Sequence, residues 1–514
     1  AAYVYRWHLR AGEERELALR LYNPQSSYSI SLRAQQDSAP YERGGRPASA
    51  LFARRIVEAD AFYEAIHHAD MTEDERRVQR QALAGMLWSK QLFYYDIPQW
   101  LNGDPIGKPP EQRKFGRNSA WEHLNNFDIL SMPDKWEYPW YAGWDLAFHC
   151  VPLAMIDPDF AKHQLLLLTR EWYMHPNGQL PAYEWSFDDV NPPVHAWAAY
   201  KVYELDGKRD REFLKRVFTK LMLNFTWWVN RKDAEGRNIF QGGFLGLDNI
   251  SLFDRSTALP TGGTINQSDG TAWMGFYCLV MLNIAVELAQ HDRAYEDLAI
   301  KFYQHFLWIA VAISGSTRGG VGLWDDADGF FYDVLKLPDG RAFPLKVRSL
   351  VGLMPLIAVE VISQATLDAL PGLDRSIKWL TNHRPDLAAH LPRVDLEGVG
   401  HAHLFAIPDA HRLRHILRFM LDEREFLSPY GLRSLSKVHE AQPYTLDVGG
   451  QRFGIEYQPA ESRSGLFGGN SNWRGPVWFP INVLLIESLR RYHQYYGDGF
   501  TVEYPTGSGS AHTL

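Results

Sequence analysis

Chemistry in this chain is concentrated in a few loop segments that mix carboxylates with aromatic and glycine residues. The first runs from Lys135 to His149 and sets Trp136, Tyr138, Trp140, Tyr141 and Trp144 around Asp145, at what reads as a helix start. There Asp145 either holds a polar ligand among rings or simply begins the helix. The second is Gly242-Gly243-Phe244-Leu245-Gly246-Leu247-Asp248-Asn249. An apolar setting raises a carboxyl pKa, as a general acid near neutrality requires. A glycine-rich stretch equally suits an Asx-turn, and this segment alone favours the turn. The third, Gly322 to Asp333, contains Trp324 and several acids. It lacks the twelfth-position acid of a calcium loop, so a β-turn hairpin fits better and no metal site is expected. The fourth is Asn470 to Trp478, in which Pro476 can start the following helix. Trp473, Arg474 and Trp478 would then face the loop side, where Arg474 could bind hydroxyls and carboxylates or act as a structural clamp.

Composition bounds what these segments can do. The chain has 514 residues, 46% of them apolar, enough for a large core, and global disorder is not expected. It carries 18 Trp, 25 Tyr and 27 Phe, many beside Gly and Pro. Rings in loops can stack on the C–H faces of sugars, although large helical cores bury aromatics too. The net charge of −8, with scattered basic residues, argues against nucleic acid or an anionic membrane surface as partner. Only Cys150 and Cys278 are present, so a disulfide framework is not indicated and a reducing compartment is the default. No apolar run reads as a membrane span, no signal peptide is evident at residues 1–5, and a cytoplasmic location is expected. Phosphate-loop, dinucleotide, H-E-x-x-H and paired C-x-x-C patterns are missing, so no cofactor is expected. His149, His175 and His195 read as structural or substrate-contacting residues.

The elements that must position these loops are mainly helical. Residues 1–24 read as a strand–turn–strand remnant of an upstream β-domain, and residues 25–50 as a polar linker. From residue 51 to 514 apolar residues recur with helical period. Helices are expected over 51–67, from Thr72 to about Tyr94, and over 160–173, 194–205, 211–230, 268–290, 294–312, 347–364, 411–421 and 477–495. Acids follow Thr72, as suits a first helical turn. Long loops alternate with these helices, which suggests a toroid of helix pairs with the loops gathered at one mouth.

Taken together, Trp144-Asp145, Gly246-Leu247-Asp248-Asn249, Leu323-Trp324-Asp325 and Trp473-Arg474-Gly475-Pro476-Val477-Trp478 resemble glycoside hydrolase family sixty-three. The resemblance covers about residues 50–500. It implies an all-α (α/α)6 barrel over residues 51–514 and an inverting cleavage of an α-glycosidic, most simply α-glucosidic, bond in a small glucoside or oligosaccharide. By position, Asp248 matches the family's general acid. Trp144 and Asp145 match the pair that holds the sugar, and Trp473, Arg474 and Trp478 match the late loop lining that pocket. Tyr183 and Glu184, in Pro181 to Trp185, and Trp324 are expected to line the mouth. Inversion needs a second carboxylate, roughly 6.5–9.5 Å from the acid, to activate water. The family places that base in an F-x-E-Y-F-like segment past the W-R-G-P-x-W loop. Glu503-Tyr504 resembles it superficially, and the chain is read as a fragment whose base lies past Leu514. A second departure is the run Ile250 to Arg255 after the acid, where relatives often place an Arg or aromatic for the leaving group. The alternatives are a non-catalytic carbohydrate-binding barrel and a sugar phosphorylase, although no clear basic cluster for phosphate is present.

Overall fold

Residues 268–289 carry apolar side chains on every side, and a helix of that kind must be covered all round. In the computed structural model they form the helix Ser268–Ala289, in which every residue except Asn283 and Glu287 is buried. Described are residues 6–15, 47–116, 118–119, 121–132, 142–183, 190–233, 236–241, 251–255, 258–315, 321–388, 392, 396–459 and 477–514. Among them, Ser268–Ala289 is the one helix long and apolar enough to cross a membrane, and 89% of its most apolar window is buried within the protein. A Cβ on Gly275 would lie 3.1 Å from Ile407 Cδ1 and 3.3 Å from Ala358 Cβ, so glycine lets neighbouring segments approach the helix closely.

Contacts divide the chain into residues 1–82 and 83–514. The boundary falls inside the helix Glu73–Trp88, and most of the linker expected over residues 25–50 lies outside the described residues. In the smaller unit the described residues 6–15 form a turn at Ala11-Gly12, and the rest of the β-hairpin expected over residues 1–24 lies outside the described residues. Its helix Pro47–Glu64 joins the start of Glu73–Trp88 through Arg76–Glu64 and Arg80–Asp60 ion pairs of 2.9 and 2.5 Å. Thr72 and Glu75 form a reciprocal cap. The Thr72 N–H donates to Glu75 Oε2 at 2.7 Å, and the Glu75 N–H donates to Thr72 Oγ1 at 3.3 Å.

In the larger unit consecutive helices pack in pairs, because the turns between them are short. Gly143–Ala154 lies against Pro158–Leu167, His195–Leu205 against Arg211–Val229, and Ser268–Ala289 against Ala294–Ile313. Aspartates stop the turns: Asp157 accepts from the Phe160 N–H and Asp210 from the Phe213 N–H. Lys162 reaches Asp206 at 2.9 Å and Asp210 at 3.1 Å, tying the first pair to the second. Ser268–Ala289 is also covered by Leu350–Leu353, Met354–Ile357 and Val359–Ser363.

Helices dominate this unit, as the sequence leads one to expect. Small two- and three-stranded sheets punctuate it. The helix expected to reach Tyr94 stops at Trp88, and Lys90–Asp96 pairs with Asn125–Ser131. The short aromatic run Leu92-Phe-Tyr-Tyr95 suits a strand better than a helix. The helix expected over 347–364 breaks into Leu350–Leu353, a 3-10 turn containing Pro355, and the strand Val359–Ser363, which pairs with Ala402–Ala406. Proline and the β-branched residues of Val-Glu-Val-Ile explain the change. Gly352 is closed in by this arrangement, for an added Cβ would meet Phe330 Cε1 at 2.2 Å and Phe331 O at 2.4 Å. Gly352→Ala is expected to cost about 1–3 kcal/mol through overpacking. A thermal melt reads this as a lowered Tm; an unchanged Tm would refute the packing argument.

Candidate active site

The helix Gly143–Ala154 starts without a side-chain cap, from Ala142 in an extended conformation. Two backbone features fix its first turn instead. The Gly143 N–H donates to Ala182 O at 2.8 Å, and any Cβ on Gly143 would lie 2.8 Å from Pro181 O. Asn191 Nδ2 donates to the same Ala182 carbonyl at 3.3 Å. Residues 181–183 therefore lie directly on the helix start that carries Trp144 and Asp145. Half-buried Asp145 stands in the first turn, where the helix dipole favours a carboxylate. Tyr183, also half-buried, follows the hydrogen-bonded Ala182.

Trp144 is buried and meets Trp478 edge to face, with ring centroids 5.1 Å apart at 85°. Trp478 is the N-cap of Phe479–Tyr496. Pro480, in the first turn, starts this helix, a place that the sequence reading gives to Pro476. Buried Asn482 clamps the position: its Nδ2 donates to Trp478 O at 2.9 Å and its Oδ1 accepts from the Leu432 N–H at 2.7 Å. Three segments distant in sequence thus meet here: residues 143–145, 181–183 and 477–482.

Behind Trp144 is a cavity of about 30 Å³, bordered by Tyr173, Asn191, His195 and Asn224. That volume suits a water molecule and is too small for a sugar ring. His195 Nε2 lies 2.7 Å from Leu165 O, so this nitrogen carries the proton and donates. Burial pushes the His195 pKa down to about 4, and the imidazole stays neutral at ordinary pH. Asn224 donates to Gly178 O at 2.9 Å and accepts from Tyr277 Oη at 3.1 Å. Gly143, Asn224 and Asn482 are absent from the residues that sequence reasoning singles out. A lone Asn inside the apolar run Leu221-Met-Leu-Asn-Phe225 is the signal that points to one of them.

Trp324 belongs to a separate hairpin, Trp324–Asp325 paired with Phe330–Phe331, as the turn reading expects. Its Nε1 donates to Asp326 at 2.8 Å and Arg412 lies over its ring at 5.1 Å. Burial opposes ionisation of Asp325, but Lys346 and the Asp328 and Ala327 N–H groups hold its pKa below the usual range. Glu503 is exposed on the strand Thr501–Glu503, where its carboxylate accepts from the Gly507 N–H at 2.7 Å. That strand pairs with Ala511–Thr513, and the Gly/Ser stretch makes the turn between them. Asp248, Glu184, Trp473 and Arg474 lie outside the described residues.

Comparison with known proteins identifies the class. The mannosylglycerate hydrolase MGH1-like glycoside hydrolase domain matches residues 138–304 and 394–506, which include Trp144, Asp145 and Trp478. The chain belongs to this family, within glycoside hydrolase family sixty-three. Among individual relatives, it is 52% identical over 477 residues to the uncharacterized protein YMR196W of Saccharomyces cerevisiae, covering 89% of this chain and 44% of that protein. The chain thus spans less than half the length of that relative. It is 36% identical over 81 residues to a probable mannosyl-oligosaccharide glucosidase of Schizosaccharomyces pombe, covering 16% of this chain and 7% of that protein. A GH63 mannosylglycerate hydrolase from Thermus thermophilus, solved with glucose, is 18% identical, with a TM-score of 0.45 over 71% of this chain and 83% of that one.

The Trp144–Trp478 contact yields a measurable coupling. A double-mutant cycle of Trp144→Phe and Trp478→Phe in denaturant unfolding is expected to return about 0.5–1.5 kcal/mol, the scale of an aromatic pair. Additive losses would mean that the rings do not support each other. His195 gives a pH signature. Its folded pKa of about 4 lies below the ordinary 6.5, so the unfolded chain takes up a proton first as pH falls. The stability it supports is present above pH 6.5 and is lost as pH falls from 6.5 towards 4. His195→Gln should flatten part of this acid decline in Tm; an unchanged slope would exclude the effect.

Proposed function

We propose that the protein is an inverting glycosidase that cleaves an α-linked, most simply α-glucosidic, bond in a small glucoside or oligosaccharide, and that its helix pairs belong to an (α/α)6 barrel. The observation that carries this reading is the meeting of Trp144-Asp145 with Trp478. The two segments are far apart in sequence, and both belong to the sugar-holding pattern of the family. Membership of a glycoside hydrolase family supports the reaction class. The glucosidase name of the Schizosaccharomyces pombe relative supports the choice of glucose.

In this mechanism the Asp248 carboxylic acid gives its proton to the glycosidic oxygen as the C1–O bond breaks. Water adds to C1 from the opposite face and loses a proton to a carboxylate base. The products are an inverted sugar and a free alcohol, and the acid is later reprotonated from solvent. Asp145 accepts hydrogen bonds from sugar hydroxyls, beside the rings of Trp144 and Trp478 and with Tyr183, Glu184, Trp473 and Arg474 at the pocket wall. Glu503 lacks the enclosure that a water-activating base requires, and we assign the base to none of the described residues.

Asp248→Asn should lower turnover of an α-linked glucose disaccharide by roughly 10²–10⁴-fold, the usual contribution of general acid catalysis. Its sugar affinity, measured by calorimetry, should be preserved. Asp145→Ala should instead weaken affinity by about tenfold or more, as loss of hydrogen bonds to a charged group implies. Near-normal hydrolysis by Asp248→Asn would remove Asp248 as the acid. Unchanged affinity in Asp145→Ala would remove Asp145 from the sugar site.

A further inference from the structure

The larger unit carries a second place fit for a ligand, which the proposed mechanism does not use. The strand Lys90–Asp96 runs into the short helix Ile97–Asn102, and residues 103–113 fold back on that helix. A cleft of about 580 Å³ opens there, bordered by Tyr94, Gln99, Trp100, Asp104, Lys108 and Arg113. Sites for small ligands enclose roughly 300–1,000 Å³. This cleft is of that size, whereas the cavity behind Trp144 suits no more than a water molecule. None of its lining residues belongs to the Trp144–Trp478 site, and all of them precede residue 138, where the family match begins.

The walls of the cleft are fixed. Asp96 Oδ1 accepts from the Gln99 N–H at 3.0 Å and starts the helix. After the helix, Gly103 takes φ +91°, and a Cβ there would lie 2.5 Å from Pro109 Cδ and 2.8 Å from Gly107 O. Glycine is therefore what lets the loop close on itself. Asp104 Oδ1 accepts from the Ile106 and Gly107 N–H groups at 2.8 and 3.2 Å. Arg113 Nη1 donates to Trp100 O at 2.9 Å, and its guanidinium lies 3.8 Å from the centre of the Trp100 ring. Ile97, Leu101, Trp121 and Leu124 form a small buried core of their own, against which Tyr95 and Trp100 pack. A surface held in this way demands little further ordering when a ligand binds.

The lining selects by ring and hydrogen bond, not by charge. The exposed Tyr94 ring meets Phe127 edge to face, with centroids 5.4 Å apart, so its orientation is held while its face stays open to a sugar. Tyr94 Oη donates to Gln99 Oε1 at 2.9 Å, which leaves the Gln99 amide N–H groups for hydroxyl oxygens. Among the described residues the Lys108 ammonium has no hydrogen-bond or ion-pair partner. Asp96 and Asp104 balance Lys108 and Arg113, so the border has no net charge and does not favour a phosphate or another strongly charged ligand. We propose that this cleft is an ancillary carbohydrate site that holds an uncharged oligosaccharide, specifically a stretch of α-glucan. The choice of an α-glucan rests on the reading of the protein as an α-glucosidase; the cleft itself rests on the geometry of residues 94–113.

The test is native gel electrophoresis of the whole protein through glycogen, with polygalacturonate gels as the charged control. Glycogen is expected to retard the protein and polygalacturonate is not. Tyr94→Ala should weaken the affinity for glycogen roughly two- to tenfold, the scale of one aromatic contact, and Tyr94→Ala combined with Gln99→Ala should weaken it further. Both side chains are exposed, so an unchanged Tm is expected to accompany the loss. Asp145→Ala should be retarded as the parent is, because the cleft does not include Asp145. No retardation by glycogen, or equal retardation of the parent and the Tyr94 variants, overturns the site. Retardation that Asp145→Ala abolishes and Tyr94→Ala leaves intact also overturns it, since the glucan is then held at the Trp144–Trp478 site and the α-glucosidase reading stands. Retardation by polygalacturonate alone overturns the assignment of an uncharged ligand. Electrophoresis registers binding and not cleavage, so a failure to hydrolyse any α-linked glucose disaccharide sinks the α-glucosidase reading separately.

Discussion

The need to hide one helix governs the larger unit. Ser268–Ala289 has no face fit for water, so helices, a 3-10 turn and a strand must surround it. Burial on this scale dominates folding free energy, and each covering element is placed by its share of that surface. The helix N-terminus is the exception to the apolar rule. There Asp269 accepts from Arg255 and Asp333 accepts from the Ser268 N–H, so a buried polar cluster begins where the apolar wrapping ends.

The candidate site is assembled from chain-distant pieces by short-range geometry. Gly143 permits residues 181–182 to lie on a helix start, and Asn482 fixes the backbone around Trp478 from below. The edge-to-face packing of Trp144 on Trp478 joins these two supports. The sugar-holding role proposed for Asp145 would rest on these supporting neighbours, a common property of sites whose functional groups must be preorganised.

Much of this was legible in sequence. Long periodic runs gave Arg211–Val229, Ser268–Ala289, Ala294–Ile313 and Phe479–Tyr496 to within a few residues, because burial of a continuous stripe leaves a strong pattern. The Trp144-Asp145 pair and the Trp324 hairpin were visible as ring–acid–glycine combinations. Other features were hidden for physical reasons. Val359–Ser363 is buried on both faces, so its apolar run imitates a helix until Pro355 is given weight. The partners of Arg255 lie in other segments, and no local spacing discloses them. Asn482 acts through backbone groups, a role that its position inside a helix does not advertise.

The all-round apolarity of Ser268–Ala289 also bears on how the chain is made. During synthesis this segment leaves the ribosome before Met354–Ile357 and Val359–Ser363, which cover part of it in the finished fold. Until those residues emerge, a stretch apolar enough for a bilayer stands partly uncovered. The nascent protein therefore passes through an interval in which it is a natural client for chaperones, and its exposure to aggregation is set by the order of its own segments.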